Sequence, residues 1–129
     1  MCVETKAAAL ERCVIVIPAL DPDETLPGFA SSLLAQGAEQ VVVVDDGSRE
    51  SCRGVFQTLE AMEDCTVLRH PVNQGKGRSM KDAFAYIAGQ ARWTGCAVVT
   101  ADADGQHSVE DVCAVGRAAL EAPDRLVLG

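Results

Sequence analysis

Two carboxylates one residue apart, Asp102 and Asp104, follow the short apolar run Ala97-Val98-Val99-Thr100-Ala101. The run is small, β-branched and uncharged, the pattern of a strand buried on both faces. A buried strand that ends in Asp-x-Asp places negative oxygens at the carboxyl edge of a sheet. Open α/β sheets bind their ligands at that edge. Carboxylates so close repel each other unless a cation sits between them. Hard oxygens in a small cluster suit Mg²⁺ or Mn²⁺, commonly shared with a phosphate. A glycine, a carboxamide and an imidazole come next: Gly105, Gln106 and His107. Taken alone, the stretch also has a plainer reading, in which Asp102 caps the next turn and Asp104 is solvated.

Three further loops carry polar groups where strands should end. Val14-Ile15-Val16-Ile17 runs into Pro18, Ala19, Leu20 and Asp21, and on to Glu24. Val41-Val42-Val43-Val44 runs into Asp45-Asp46-Gly47-Ser48. Thr66-Val67-Leu68 precedes the glycine-punctuated Asn73-Gln74-Gly75-Lys76-Gly77. Asp-Asp-Gly-Ser by itself is often a tight turn. The Asn73 loop by itself is more often a helix start than an anion site. All four loops in this order make a much more specific pattern than any one of them.

The elements that must position these loops follow from periodicity. The four apolar runs read as parallel strands, and Pro18, which lacks a backbone donor, is expected to end the first. Leu26, Phe29, Ala30, Leu33 and Leu34 have helical spacing, with Thr25 as the expected N-cap and Gly37 as the stop. Further helices are expected over about residues 50–62 and 78–91. A fourth is expected to start at Ser108, which with Asp111 forms a variant capping box, and to end near Pro123. Arg125 to Leu128 opens a fifth strand. Strand and helix alternate throughout, so the fold class is α/β: a mostly parallel, Rossmann-like sheet with helices on both faces and right-handed crossovers.

With those residues assembled, the chain resembles the family 2 glycosyltransferases of the GT-A fold. It is most similar to the branch of dolichol-phosphate mannose synthase and the bacterial polyprenyl-phosphate glycosyltransferases. The similarity rests on Val16-Ile17-Pro18, Val43 through Ser48, Asn73 through Gly77, and Asp102 through His107. It implies metal-dependent, inverting transfer of a sugar from a UDP- or GDP-sugar to an acceptor such as a polyprenyl phosphate. Pro18, Ala19, Leu20 and Asp21 would line the base and ribose, and one of Asp45 and Asp46 would accept from the base. Gly47, Ser48 and Asn73 belong to the same nucleotide-binding loops. Gly75 and Lys76 would approach the diphosphate. Asp102, Ala103 and Asp104 would form the DxD element, with Asp102, Asp104 and Gln106 holding Mn²⁺ or Mg²⁺.

Two departures from the family pattern stand out. Leu20 and Asp21 occupy positions where the family often has an aromatic residue and Asn, and Glu24 stands in for an acidic residue usually nearer the proline. The family's acceptor half, with the catalytic base where one is used, lies downstream. Residues 1–129 are therefore expected to be the nucleotide-sugar-binding portion of a GT-A domain whose carboxyl-terminal part is missing. A catalytic residue is not assignable within it. An acceptor that is already a phosphate needs no base. An unpaired apolar edge would favour self-association as a homodimer.

Three other classes compete with this reading. A non-catalytic nucleotide-sugar-binding module would share every motif. A receiver-type signalling domain would carry its acidic pair after the first strand, whereas Asp45-Asp46 follows the second. A sugar nucleotidylyltransferase would need a glycine-rich signature after the first strand, which is absent.

Composition bounds the rest. The chain has 129 residues, 48% hydrophobic, enough for one domain with a real core. A net charge of −8 argues against nucleic acid and anionic lipid as partners. It is compatible with a pocket that needs a dication to accept a phosphate. Six cysteines with no Cys-x-x-Cys spacing read as free thiols in a reducing cytoplasm. Any contact with the inner face of a membrane is expected through the acceptor or through segments outside these residues.

Overall fold

The computed structural model describes residues 10–103, 109–121 and 127–128. In chain order the elements are β1 (Cys13–Ala19), α1 (Leu26–Ala35), β2 (Gln40–Asp46), α2 (Arg53–Glu60) and β3 (Cys65–His70), followed by α3 (Lys76–Ala88), β4 (Ala97–Thr100), α4 (Val109–Glu121) and β5 (Val127–Leu128). Single 3₁₀ turns, Glu50–Cys52 and Ala91–Trp93, lead into α2 and towards β4. Every strand pair is parallel, in the order β3-β2-β1-β4-β5. A receiver domain has the strand order 2-1-3-4-5 instead.

Alternation along β1 and β2 decides which helices cover which face. Cys13, Ile15, Ile17, Val41 and Val43 point to a core built with Leu26, Ala30 and Leu33 of α1, Phe56 and Leu59 of α2, and Val112 of α4. Val14, Val16, Val42 and Val44 point to the other side, against Ala83 and Ile87 of α3 and Trp93. Both faces of the central strands are therefore dry. This is why their sequences are continuous apolar runs with no polar alternation.

The order of strands reverses at β1. The chain steps outward through β2 and β3, then returns to place β4 on the opposite side of β1. Crossovers on either side of such a switch point leave a crevice at the carboxyl ends of the strands. The loops after β1 and β4 flank that crevice.

Local expectations fared unevenly. Gly37 adopts φ 99°, and the amides of Gly37 and Ala38 return to the carbonyls of Leu34 and Leu33, a Schellman closure of α1. Thr25 holds the N-cap position, and its carbonyl accepts the first helical bond, from Phe29, but its backbone is helical and its side chain makes no capping bond. The Thr25 hydroxyl instead donates back to Asp23 Oδ1, which also accepts from the Thr25 amide at 2.9 Å, closing the turn before the helix. Pro18 does not end β1, which pairs with β2 through Pro18↔Val44 and Ala19↔Asp45. Alternate residues of a parallel strand face alternate neighbours. The Val16 carbonyl accepts from Ala101, so Pro18 faces the β4 side, where pairing has already stopped at Val16↔Thr100. Its missing N–H is not needed there. β3 extends beyond Leu68 to His70, α2 is shorter than expected, and α3 begins two residues early, at Lys76. The expected cap Ser108 lies outside the described residues.

Phe56 is among the largest fully buried side chains, 1% exposed between α2 and the sheet. Phe56→Ala is expected to cost about 3–5 kcal/mol of unfolding free energy, because the cavity cannot fully collapse. Urea titration should show the midpoint fall with little change in slope.

Candidate functional site

The loop after β1 leaves the sheet with Leu20 exposed and Asp21 at φ 51°, a left-handed conformation that Asp tolerates better than most residues. Contacts with the next loop hold it there. The Asp21 amide donates to Ser48 Oγ at 2.9 Å, and the Arg49 amide donates to Asp21 Oδ1 at 2.7 Å. Arg49 Nε lies 3.3 Å from the other carboxylate oxygen.

The loop after β2 is a tight turn closed by its own aspartate. The Ser48 amide donates to Asp45 Oδ1 at 2.9 Å, with Gly47 at φ 77° between them. A Cβ on Gly47 would lie 2.4 Å from the Asn73 nitrogen and 2.6 Å from the Val72 carbonyl carbon. Glycine is therefore what lets the loops after β2 and β3 touch.

Asp46 organises the loop after β3. The Gln74 amide donates to its Oδ1 at 2.8 Å, and the Gly75 amide to its Oδ2 at 2.9 Å. His70 Nδ1 approaches the same Oδ1 at 2.8 Å, while His70 Nε2 lies 2.7 Å from Asp82 Oδ2 on α3. Burial alone would raise the Asp46 carboxyl, but the bonds from His70, Gln74 and Gly75 outweigh it and hold its pKa below the ordinary carboxylate value. Hydrogen bonds to Asp46 and Asp82 push His70 up, and the bond from His70 holds Asp82 down. α3 then starts at Lys76, and the Gly75 carbonyl accepts from both the amide and the hydroxyl of Ser79 at 3.1 Å.

These loops enclose a cleft of about 540 Å³ over the switch point. Pro18, Ala19, Leu20, Asp21, Asp46, Asn73, Gly75, Lys76, Asp102 and Ala103 line it, all of them singled out by the sequence. Pro22, Asp23 and Ser79 line it as well. Glu24, Asp45, Gly47 and Ser48 do not; the last three shape the loops behind it. Asp104 and Gln106 lie outside the described residues. His70 is a residue of the site that the sequence motifs did not single out. The signal available was its place at the end of a strand beside another strand ending in Asp-Asp.

Four carboxylates border the cleft, with Lys76 among them. Lys76 Nζ lies 2.8 Å from Asp102 Oδ1, with the two side chains 61% and 34% exposed. A pair this exposed is weak, so a competing cation can replace the ammonium. Among the described residues, no three His, Cys, Asp or Glu side chains are grouped to hold a metal. Asp102 nevertheless offers a hard oxygen that already draws a cation, and this fits Mg²⁺ or Mn²⁺. The first turn of α3 adds N–H groups and the positive end of a helix dipole, which favour an anion. Among the described residues, Cys13, Cys52, Cys65, Cys96 and Cys113 form no disulfide, and burial raises the thiols of Cys13 and Cys65 to about 11.

Fold and cleft together define the class: an α/β domain of the GT-A type. The chain belongs to glycosyl transferase family 2, whose family model matches residues 14–129. An undecaprenyl-phosphate 4-deoxy-4-formamido-L-arabinose transferase of Pseudomonas fluorescens is 30% identical, over 76% of this chain and 29% of its own length. A UDP-N-acetylglucosamine–dolichyl-phosphate N-acetylglucosaminyltransferase of Methanococcus voltae is 24% identical, over 89% of this chain and 50% of its own. An uncharacterized protein of Methanocaldococcus jannaschii is 29% identical, over 79% and 39%. The chain thus spans half or less of these relatives' lengths. No solved structure matches.

Gly47→Ala should destabilise the protein by about 1–3 kcal/mol, since it adds strain at positive φ and a clash with backbone. Gly28→Ala, in α1 with nothing near its Cβ, should instead stabilise by about 0.5–1 kcal/mol. Chemical denaturation of the two variants checks the pair.

Proposed function

We propose that the cleft binds the nucleoside diphosphate of a UDP- or GDP-sugar with a divalent cation, and that the protein transfers the sugar to a polyprenyl phosphate with inversion. The observation that carries this reading is that Asp46 at the end of β2, Lys76 at the start of α3 and Asp102 in the loop after β4 line one cleft at the switch point of a family 2 domain. The relatives' names add support for the acceptor: two of them are transferases acting on undecaprenyl phosphate and dolichyl phosphate.

The chain's own residues divide the work. Asp46 has two donors on Oδ1 and one on Oδ2. Each carboxylate oxygen can accept twice, so Oδ2 has one direction left for an N–H of the base. Asp45 is spent on its own turn and does not line the cleft. Pro18, Ala19, Leu20 and Asp21 form the wall for base and ribose. Asp102 would hold the cation, together with Asp104 and Gln106. That cation, when bound, would offset the charge that builds on the departing diphosphate. Lys76 would then turn from Asp102 to a phosphate oxygen, aided by the N–H groups at the start of α3.

An acceptor phosphate is already an anionic nucleophile. Its oxygen attacks the anomeric carbon opposite the departing diphosphate, with no base required, and a single displacement inverts the centre. A polyprenyl-phosphate acceptor would bring the protein to the cytoplasmic face of a membrane. Among the described residues no helix is long and apolar enough to cross one.

Calorimetry with UDP and GDP tests the assignment. Asp102→Asn is expected to abolish the Mn²⁺-dependent part of binding while leaving thermal unfolding cooperative. Asp46→Ala is expected to weaken binding by about 1.5–3 kcal/mol with or without metal, and Asp45→Ala by less. Equal affinities for the wild type and Asp102→Asn in Mn²⁺ would rule out the metal role.

A further inference from the structure

His70 is placed unlike any other titratable side chain among the described residues. It is 8% exposed and touches a carboxylate at each ring nitrogen, Asp46 at 2.8 Å and Asp82 at 2.7 Å. A neutral imidazole has one N–H and donates in one direction only. Two carboxylate partners at these distances are both satisfied only when both nitrogens carry protons. With both nitrogens protonated, the bridge is an imidazolium between two carboxylates. It ties the end of β2 to α3 across the end of β3.

The other charges around it are accounted for. Arg78 Nε, on α3, sits 3.1 Å from the second oxygen of Asp82. Arg69, next to His70 on β3, faces Glu60 at 2.9 Å and Asp45 at 3.8 Å. Tyr86 and Glu60 border the same shallow depression as His70. The oxygen of Asp46 that meets His70 also holds the Gln74 amide, and its partner oxygen holds the Gly75 amide.

We propose that His70 is a positioning residue of the cleft: as an imidazolium bridging Asp46 and Asp82, it fixes the carboxylate that holds the Gln74–Gly75 loop against α3, and so makes the order of that loop depend on a proton. Its role in donor binding rests on the nucleotide-sugar reading above; its role in the loop does not. Loss of the proton leaves one N–H for two carboxylates, so a nitrogen lone pair then faces an oxygen. The folded-state pKa of His70 is raised by its two hydrogen bonds. The bridge is therefore complete below the ordinary histidine value of about 6.5. It is lost as pH rises through the higher folded value.

Amide exchange of Gln74 and Gly75, followed by NMR as protection factors between about pH 6 and pH 9, tests the clamp. Wild-type protection should fall as pH rises. His70→Gln, which cannot charge, should show roughly tenfold lower protection at the acid end and a flat profile. Asp82→Asn should move the wild-type midpoint to lower pH. Parallel profiles in wild type and His70→Gln, or an unmoved midpoint in Asp82→Asn, would overturn the proposal. Affinity for UDP and GDP with Mn²⁺ should track protection in the wild type and lose its pH dependence in His70→Gln. A wild type that binds neither nucleotide at any pH would remove the nucleotide-sugar reading, and the exchange data would still decide the clamp.

Discussion

A carboxylate buried at the end of a strand must find donors, and the way Asp46 finds them shapes this molecule's cleft. The residue is 4% exposed. An ionised carboxylate in such a place is costly unless hydrogen bonds replace its lost water. It takes two backbone amides from the loop after β3 and a histidine from the strand next door. Satisfying the charge therefore draws the Gln74–Gly75 segment across the end of β2 and sets where α3 begins. The helix start, the lysine on its first turn and the wall of the cleft all follow from one desolvated charge.

The second organising constraint is topological. Helices on both faces of a parallel sheet leave only its strand ends open, and the reversal of strand order at β1 opens a crevice there. Asp21 and Asp102 come from the loops on its two sides. Ser48 and Gly47 act one layer back. The Ser48 hydroxyl accepts the Asp21 amide, and the bare α-carbon of Gly47 lets the Val72–Asn73 backbone approach. Four loops far apart in sequence thus brace one another, without a contact that any single loop could make alone.

Electrostatics completes the site. The chain carries a net charge of −8, and the cleft concentrates carboxylates. A diphosphate entering alone would meet repulsion. The Lys76–Asp102 pair shows how the site accommodates positive charge: an exposed ammonium sits where a carboxylate oxygen asks for a cation. Because an exposed pair is held weakly, that arrangement is readily exchanged.

Much of this was legible in the chain itself. The runs Val14 to Ile17 and Val41 to Val44 announced buried parallel strands, because only two dry faces tolerate unbroken β-branched sequence. The carboxylates that follow Val44 and Ala101 announced the edge where the cleft opens, and Gly37 announced the end of α1. Local sequence failed where a choice depended on a partner from elsewhere. Pro18 continues β1 because the neighbour on its side has already stopped. Thr25 sits at the N-cap of α1 but leaves its hydroxyl on Asp23, because its helical backbone does not aim the side chain at the first-turn amides. The Asp45-Asp46 pair looks symmetric in sequence, yet adjacent strand residues point to opposite faces. Only the fold could decide that Asp45 closes its own turn while Asp46 meets His70 and the cleft. His70 takes its meaning from two carboxylates 24 and 12 residues away, a juxtaposition that no local pattern encodes.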